Sequence, residues 1–354
     1  MSLAETQGIG PADCALFQWR RYDEINGQWQ RLLDSAPQVT LYHRPSWLEL
    51  LSRAYRFSFW LATLNQDGEI AAGCVMARSK NPFVKRYIAL PFSDTCAPLA
   101  LNGVAATDLL HAIAAHAPSG SAYEIRGSRG PAPWQTVECF GEWRLDLARS
   151  LNSIEDGLAV NFRRNLHRSQ QQGISIEHGA DIGYLKRFYR LQLASRRGFG
   201  LPSQPWRFFK LVRELFSASG SFDVWIARCN GKDAASAVFL RDSDCVYYKW
   251  GARNGDDHSS ANHLLFWRAI EEFAARAHTL DLGRTDFRNL GLTRFKRELG
   301  ARALALPYAF YPNAPAEISP EVLTGRRRNL ARVWRRMPIF VTRIVSRAAY
   351  RFLA

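Results

Sequence analysis

Residues 58–78 read SFWLATLNQDGEIAAGCVMAR, and residues 221–241 read SFDVWIARCNGKDAASAVFLR. With a constant offset of 163 residues the two stretches share seven identical positions, where about one or two would follow from ordinary residue usage. Each stretch consists of two apolar runs separated by a turn around Gly68 or Gly231, and this pattern predicts a β-hairpin. The sequence therefore contains two copies of one structural unit.

The segments after each hairpin also correspond in order. A third strand, a loop, a helix and a further strand follow, read from KRYIAL, DLLHAIAAHA and AYEIRG in the first copy and from CVYYKWG, NHLLFWRAIEEFAARA and TLDLGR in the second. We expect an α/β (α+β) protein of two tandem domains with mixed, largely antiparallel sheets. The predicted domains are residues 1–152 and 153–315, with a tail at 316–354, and helical periodicity from Ile154 to Gly173 marks the crossing between them.

The composition indicates a folded, basic protein. Of 354 residues 47% are hydrophobic, and 47 Lys and Arg against 32 Asp and Glu give a net charge of +15, which favours phosphates, nucleic acid or anionic lipid as partners. The six cysteines contain no CxxC pair, which argues against a metal cluster and favours reduced thiols in the cytoplasm. No apolar run reaches the roughly 18 to 20 residues of a membrane-spanning helix, and the N-terminus does not resemble a secretory signal. We therefore expect a cytoplasmic protein.

The C-terminal tail is a separate signal. Residues 322–354 contain nine arginines and no acidic residue. After Pro338, apolar residues recur beside a stripe of arginines; the apolar set is Phe340, Val341, Ile344, Val345, Ala348, Ala349, Phe352 and Leu353, and the stripe is Arg343, Arg347 and Arg351. This pattern predicts a basic amphipathic helix lying on the anionic inner face of the cytoplasmic membrane. Docking onto the rest of the chain and binding of tRNA are the alternatives.

Four stretches, together with the repeat, resemble a known family. They are LPFSDTCAPL at 90–99, FRRNLHRSQQQGISIEHG at 162–179, ANHLLFWRAIEEFA at 261–274, and LDLGRTDFRNLGLTRFKRELGA with LPYAFY within 280–311. Their order and spacing resemble the FemAB-like acyltransferases with a duplicated GNAT fold, in the branch associated with polysaccharide systems. The resemblance covers roughly residues 40–312 and implies two tandem GNAT-like domains.

The resemblance implies transfer of an acyl or aminoacyl group to an amine of a cell-envelope glycan, peptidoglycan or a lipid-linked precursor. The implied donor is acyl-CoA or aminoacyl-tRNA, without a metal and without DNA as a partner. GNAT proteins that bind acetyl-CoA hold its pyrophosphate in a Gly-rich turn at a helix N-terminus, whereas this chain reads ARNGDDHSSANHLL there. Both donors therefore stay open. A CoA-dependent N-acetyltransferase and a catalytically silent scaffold in exopolysaccharide biosynthesis are the alternative functions.

Two basic residues are the candidate catalytic groups. Lys296 matches the lysine of the family's FK motif, which implies contact with a donor phosphate or with the developing oxyanion; an exposed helix lysine is the alternative. Arg284 ends the DLGR strand and is a candidate clamp for phosphate or carboxylate, or the partner of Asp281 or Asp286 in an ion pair.

The candidate substrate-binding residues lie in both copies. The resemblance implies that Asp94 is an acceptor-side carboxylate, although an aspartate in a turn also satisfies backbone amides. Tyr248 lies on an aromatic strand of which one face can line a cleft. Arg163 and Arg164 are candidates for a phosphate-bearing acceptor or tRNA, with a solvated basic helix face as the alternative. Asn262, in the ANHLL stretch, completes the set.

Two histidines near the start of this helix carry a weaker signal. His258 and His263 could act as a base or as ligands. No metalloprotease, nucleophile-elbow or phosphate-loop motif accompanies them, so a capping or core role is favoured.

Overall fold

The computed structural model describes residues 16–79, 85–101, 103–255, 260–316, 318 and 325–349. The first copy consists of β1 (Leu16–Arg21), α1 (Tyr22–Ser35), a 3-10 turn (Leu41–His43), α2 (Pro45–Tyr55), β2 (Phe59–Gln66), β3 (Glu69–Arg78), β4 (Lys85–Ile88), β5 (Leu99–Ala100), α3 (Ala106–Ala115), β6 (Ser121–Arg126) and β7 (Gln135–Asp146). The second copy consists of α4 (Leu151–Asp156), α5 (Val160–Gln171), β8 (Ser175–Gly179), α6 (Ile182–Phe199), α7 (Trp206–Ser217), β9 (Phe222–Cys229), β10 (Lys232–Asp242), β11 (Cys245–Arg253), α8 (Ala261–Phe273), β12 (Thr279–Asp286), α9 (Leu290–Glu298) and β13 (Arg302–Tyr311). The tail forms α10 (Gly325–Arg336) and α11 (Ile339–Ala349).

The two predicted hairpins are present at the predicted offset. The strands β2 and β3 pair antiparallel, as do β9 and β10. Both turns place two consecutive residues at positive φ, Asp67 and Gly68 in the first copy and Asn230 and Gly231 in the second. A two-residue turn of this kind matches the twist of the flanking strands, which explains why both copies keep Asp-Gly or Asn-Gly at this point.

The copies share one sheet. Among the described residues the strand order is β1-β2-β3-β4-β6-β13-β7-β12-β11-β10-β9-β8, with β5 beside β3. The last strand of each copy lies in the half formed by the other: β13 pairs with β6, and β7 pairs with β12. The exchanged strands β7 and β13 also pair with each other along most of their length. The two predicted sheets are therefore joined into one by a reciprocal exchange of strands.

Helices cover both faces of the sheet. On one face a large core joins the copies, because α2 of the first packs on α7 of the second, with Trp47 and Phe209 fully buried. On the other face α8 buries a second core that includes Leu265, Ile270 and Phe273. The proposed boundary between residues 152 and 153 lies within α4, at the end of the connection from β7.

The tail forms the helix predicted after Pro338, α11, and a further helix, α10, that ends before this proline. Both helices pack on α6. The predictions for Arg351, Phe352 and Leu353 lie outside the described residues. Within the part of the chain that the structure describes, no helix is long and apolar enough to cross a membrane.

The strand exchange predicts that neither copy folds alone. A chain cut in the loop after Arg149 yields one fragment in which β6 and β7 both lack their partners from β12 and β13. We expect each fragment alone to lack a cooperative thermal transition. A mixture of the two fragments should show such a transition, and size-exclusion chromatography should show a complex with the mass of the full chain. Cooperative unfolding of the isolated fragment 16–149 would contradict the exchange.

Candidate functional site

An opening in the sheet between β11 and β12 forms the candidate site. The two strands are parallel, but they pair only over residues 245–247 and 279–281. Beyond this point each strand contains a β-bulge: Lys249 is the extra residue of β11 against β10, and β12 has one extra residue between Asp281 and Arg284 against β7. Bulges bend strands and redirect side chains, so backbone groups of β11 and β12 are no longer paired with each other here.

Gly283 lies at the centre of this opening with a φ of 74°, a left-handed conformation that favours glycine. Its N–H donates to Asp281 Oδ1 at 2.7 Å. Its carbonyl oxygen accepts a hydrogen bond from Lys296 Nζ at 2.8 Å. A Cβ at this position would lie 3.3 Å from Asp94 Oδ2, so a lysine from α9 and a carboxylate from the first copy approach the same glycine.

Asp94 belongs to a hydrogen-bonded cluster that joins the two copies. Its Oδ2 accepts from Tyr42 Oη at 2.6 Å and from Lys249 Nζ at 2.7 Å. Lys249 Nζ also lies 2.6 Å from the Tyr42 hydroxyl oxygen and 4.5 Å from the centroid of its ring. The Lys249 side chain is 4% exposed, whereas that of Asp94 is 24% exposed. Asp94 therefore presents a carboxylate to the opening while Lys249 holds it from beneath.

The electrostatics of the cluster keep Asp94 ionised. Burial opposes ionisation, but the charges of Lys249 and Arg284, with hydrogen bonds from Lys249 and Tyr42, outweigh it and hold the pKa of Asp94 well below its usual range. Burial and the charge of Asp94 raise the pKa of Tyr42. At neutral pH the cluster therefore contains a carboxylate and a neutral phenol, and the carboxylate can receive the ammonium group of an amine substrate.

Arg284 forms the rim of the opening on the side of β13. Its guanidinium donates to Tyr308 Oη at 3.1 Å and lies 4.5 Å from the centroid of the Phe140 ring. The Tyr308 hydroxyl in turn donates to the backbone carbonyl of Asp94 at 2.8 Å. The exchanged strand β13 thus connects Arg284 with the loop that carries Asp94.

Two buried carboxyl groups lie beneath this rim. Glu142 on β7 is opposite Arg284 in the sheet, and its side chain is 8% exposed. Burial and the charge of Asp281 raise the pKa of Glu142 to about 8, and burial and the charge of Asp94 raise the pKa of Asp281. Neighbouring buried carboxyls do not both ionise readily, so the pair holds a proton at neutral pH. Among the described residues, no group of three His, Cys, Asp or Glu side chains is arranged to hold a metal ion.

The corresponding gap in the first copy, between β4 and β6, is filled by the chain itself. Arg126 donates from Nη1 to the carbonyls of Leu90 and Ser93, at 3.2 and 2.8 Å. The backbone N–H of Cys96 donates to the carbonyl of Arg126 at 3.0 Å. The loop at 90–98 is therefore fixed across the first opening, and Asp94 projects from it into the second.

The structure brings three of the predicted site residues together at Gly283: Lys296, Arg284 and Asp94. Lys296 is 2% exposed, so it is a buried lysine and not a solvated one. The ring of Tyr248 faces away from Asp94 and packs on Phe266 of α8 with centroids 4.9 Å apart. Its backbone carbonyl, however, faces Gly283, so this residue contributes to the opening through its main chain.

The other predicted substrate-binding residues lie on helices at one side of the opening. Arg163 and Arg164 are exposed on α5, and Asn262 is partly buried in the first turn of α8. These helices pack on each other. His263 lies between them, with its Nε2 3.4 Å from the side chain of Asn165, and burial lowers its pKa; His258 lies outside the described residues.

Sequence reasoning missed Lys249, Tyr42 and Glu142. Lys249 is the single charged residue of the run CVYYKWG, and Glu142 interrupts the strand that contains FGEWRL. A lone charge in a buried strand was therefore the signal that could have identified Lys249, whereas Glu142 shares its strand with other charged residues and carried no such signal. Tyr42 precedes the region of detectable repeat and carried no comparable signal.

Comparisons with known proteins agree with this architecture. Residues 159–297 match the family model described as the acetyltransferase (GNAT) domain, a range that includes β11, β12 and Lys296. The fold is shared with a crystal structure of FemX, at 13% identity and a TM-score of 0.62 over 80% of this chain and 95% of that chain. No curated protein matches the sequence.

Two further structures share the fold. One is the C-terminal domain of a putative lysylphosphatidylglycerol synthetase from Agrobacterium fabrum, at 13% identity and a TM-score of 0.55 over 81% of this chain and 93% of that chain. The other is a tandem GNAT protein from the clavulanic acid biosynthesis pathway, at 12% identity and a TM-score of 0.52 over 85% of this chain and 100% of that chain. At the level of fold, these findings confirm the predicted resemblance to FemAB-like GNAT proteins.

The raised pKa of Glu142 predicts a pH-dependent stability. Between the ordinary carboxyl pKa near 4.5 and the folded value of about 8, the folded chain retains a proton that the unfolded chain releases, so the free energy of unfolding falls as pH rises. The neutral variant Glu142→Gln removes this contribution, and we expect its stability relative to the unmodified chain to increase from pH 5 to pH 8.5 in denaturant titrations. The exposed-site variant Glu155→Gln is the control, and parallel pH profiles for Glu142→Gln and the unmodified chain would contradict the assignment.

Proposed function

The chain is a tandem GNAT-fold protein, and from this premise we propose that it transfers an acyl or aminoacyl group to an amine and so forms an amide. The observation that carries the proposal is the convergence on Gly283 of a buried lysine, Lys296, and an ionised carboxylate, Asp94. The two groups approach from different elements, α9 and the loop at 90–98. This arrangement suits a reaction in which a donor and an acceptor meet in an opening of the sheet.

The chemistry assigns different tasks to the two groups. The acceptor amine is an ammonium ion at neutral pH, and Asp94 attracts and orients it through an ion pair. The ammonium first loses one proton to solvent, and the amine nitrogen then attacks the acyl carbon. When the tetrahedral intermediate collapses, the bond from the acyl carbon to the sulfur or ribose oxygen of the donor breaks, and the second proton from nitrogen goes to that leaving atom. Lys296 supplies positive charge for the oxyanion of the tetrahedral intermediate or for a donor phosphate. Because Lys296 already donates to the carbonyl of Gly283, its position is fixed before substrate binds.

The gap between β11 and β12 is the proposed donor cleft. Extended chains bind strand edges through main-chain hydrogen bonds, and β11 and β12 do not pair with each other beyond Tyr247 and Asp281. Acyl-CoA and aminoacyl-tRNA are the two donor classes. The description of the matching family model supports an acyl-CoA donor, whereas the exposed Arg163 and Arg164 would serve either donor's phosphates.

The proposed acceptor is an amine of a cell-envelope glycan, of peptidoglycan or of a lipid-linked precursor, used at the inner face of the cytoplasmic membrane. The motifs of the polysaccharide-associated branch support this acceptor, and one structural relative is named a putative lysylphosphatidylglycerol synthetase. Mass spectrometry of envelope glycans and lipids, from cells with the protein and cells without it, tests the proposal directly. The mass difference identifies the transferred group, and binding of acetyl-CoA by the purified chain would favour an N-acetyltransferase instead of an aminoacyltransferase.

Replacement of Lys296 distinguishes an enzyme from a scaffold. The variant Lys296→Met keeps the bulk of the side chain and removes its charge, so we expect the envelope product to fall by about 10²- to 10³-fold, the usual effect of removing one group that stabilises an oxyanion. The lost hydrogen bond to Gly283 lowers the free energy of unfolding by only about 1–3 kcal/mol, measured by denaturant titration.

The neighbouring Arg297 is exposed on the same helix, and Arg297→Met is the matched control with an expected product level close to normal. A normal level of product with folded Lys296→Met would argue for the silent scaffold.

Replacement of Gly283 tests whether the opening itself is required. In Gly283→Ala the positive φ costs about 1–3 kcal/mol, and the new Cβ lies 3.3 Å from Asp94 Oδ2 and 3.6 Å from the carbonyl oxygen of Tyr248, inside the opening. We expect transfer to fall at least tenfold while the protein still folds. Gly291→Ala, in α9 with no atom within 4 Å of the added Cβ, should be as active as the unmodified chain; equal activity of both alanine variants would exclude the opening as the reaction site.

A further inference from the structure

The tail helices pack on the rest of the molecule through small and polar side chains. Ala331 of α10 and Thr342 and Ser346 of α11 are each at most 3% exposed. Gly200, at the end of α6, lies so close that a Cβ there would be 2.6 Å from Ala331 Cβ. The tail therefore docks onto the chain, which was one of the alternatives to membrane binding, and its most buried side chains are small or polar.

The large apolar side chains point away from the protein. Thr342 and Ser346 are one turn apart, and at 100° per residue Phe340 and Ile344 lie on the opposite side of α11. The exposed set on and beside the tail, which we name the tail face, is Phe199 (52% exposed), Leu330 (69%), Val333 (61%), Ile339 (37%), Phe340 (63%) and Ile344 (64%). A helix at the surface of a soluble protein normally turns its apolar side toward the protein. The side chains of the tail face are instead exposed to solvent. Large exposed apolar side chains concentrated on one short segment are a signal of a binding site.

The charge around the tail face specifies its partner. Arg332, Arg335, Arg336 and Arg343 are exposed on the same two helices. The whole segment 322–354 has nine arginines and no acidic residue. Its positive charge repels cations and attracts phosphates. Apolar side chains bordered by arginines match the boundary between the acyl chains and the anionic headgroups of a bilayer.

We propose that the tail face binds the surface of an anionic membrane, with Phe340 and Ile344 inserted at the headgroup boundary and the arginines on lipid phosphates. Nucleic acid would bind the arginines, but it would gain little from contact with Phe340 and Ile344. These two side chains lie on the side of α11 opposite the buried Thr342. The tail face is separate from the opening at Gly283, so this inference concerns how the chain is held at a surface and does not depend on the proposed reaction.

Vesicle co-sedimentation of the full chain tests the proposal. We expect binding to phosphatidylcholine vesicles that contain phosphatidylglycerol, weaker binding at higher salt, and little binding to phosphatidylcholine alone. The double variant Phe340→Ser with Ile344→Ser should weaken binding at least tenfold. Since each arginine near an anionic surface contributes about fivefold in affinity, Arg332→Gln with Arg343→Gln should weaken it roughly 25-fold.

Matched controls separate this surface from general charge and hydrophobicity. Leu16 has the same exposure as Phe340, 63%, and Leu16→Ser should bind vesicles as the unmodified chain does. The exposed pair Arg20 and Arg56, changed to glutamine, should likewise bind normally.

Unchanged vesicle binding in the Phe340→Ser, Ile344→Ser variant would overturn the proposal. A second result would also overturn it: tRNA added beforehand prevents the unmodified chain from binding vesicles, and the Phe340→Ser, Ile344→Ser variant still binds tRNA fully. The tail face would then be a nucleic-acid surface. All the substituted side chains are exposed, so the variants are expected to fold, which circular dichroism and thermal unfolding check independently of membrane binding.

Discussion

Pairing of β7 with β13 at the centre of the sheet is the interaction on which the other features depend. Each of these strands leaves the copy that supplies it and completes the other, β13 beside β6 and β7 beside β12. The exchange brings Tyr308 of the second copy to the loop of the first that carries Asp94. It also places Glu142 of the first copy beside Asp281 of the second. Without the exchange the groups around Gly283 would not share one surface.

Each copy has a gap between two parallel strands, and only the gap in the first copy is filled by a loop. In the first copy the guanidinium of Arg126 and the backbone of Cys96 hold the loop across the gap. In the second copy the bulges at Lys249 and Gly283 keep the gap clear. The filled gap is not idle, because the loop that fills it supplies the carboxylate. One copy therefore positions a carboxylate that points into the opening of the other, and the buried Lys249 pairs with that carboxylate across the junction.

The repeat and its hairpins could be predicted from sequence because Gly68 and Gly231 fix the turns and because apolar alternation is a local signal. Lys296, Arg284 and Asp94 could be selected from motifs, and the structure places all three around one glycine. The strand exchange could not be predicted, since the partner of β6 lies far along the chain and nothing local to either strand specifies it. The lone charge of Lys249 in an apolar strand was a local signal, but its role depends on the bulge in β11 and on contact with Asp94, neither of which the sequence shows. The tail was predicted to be amphipathic, but which side of it faces the protein depends on its packing against Gly200.

The position of β13 has a consequence for synthesis on the ribosome. The strand β6 ends at Arg126, and its neighbour in the finished sheet begins only at Arg302. At translation rates of about 5–20 residues per second, a nascent chain carries the bare margin of β6 for roughly ten to thirty-five seconds. During that time the free edge of β6 can pair with the same strand of a second nascent chain nearby. The margin of β6 therefore stays open to a wrong partner until β13 has been synthesised.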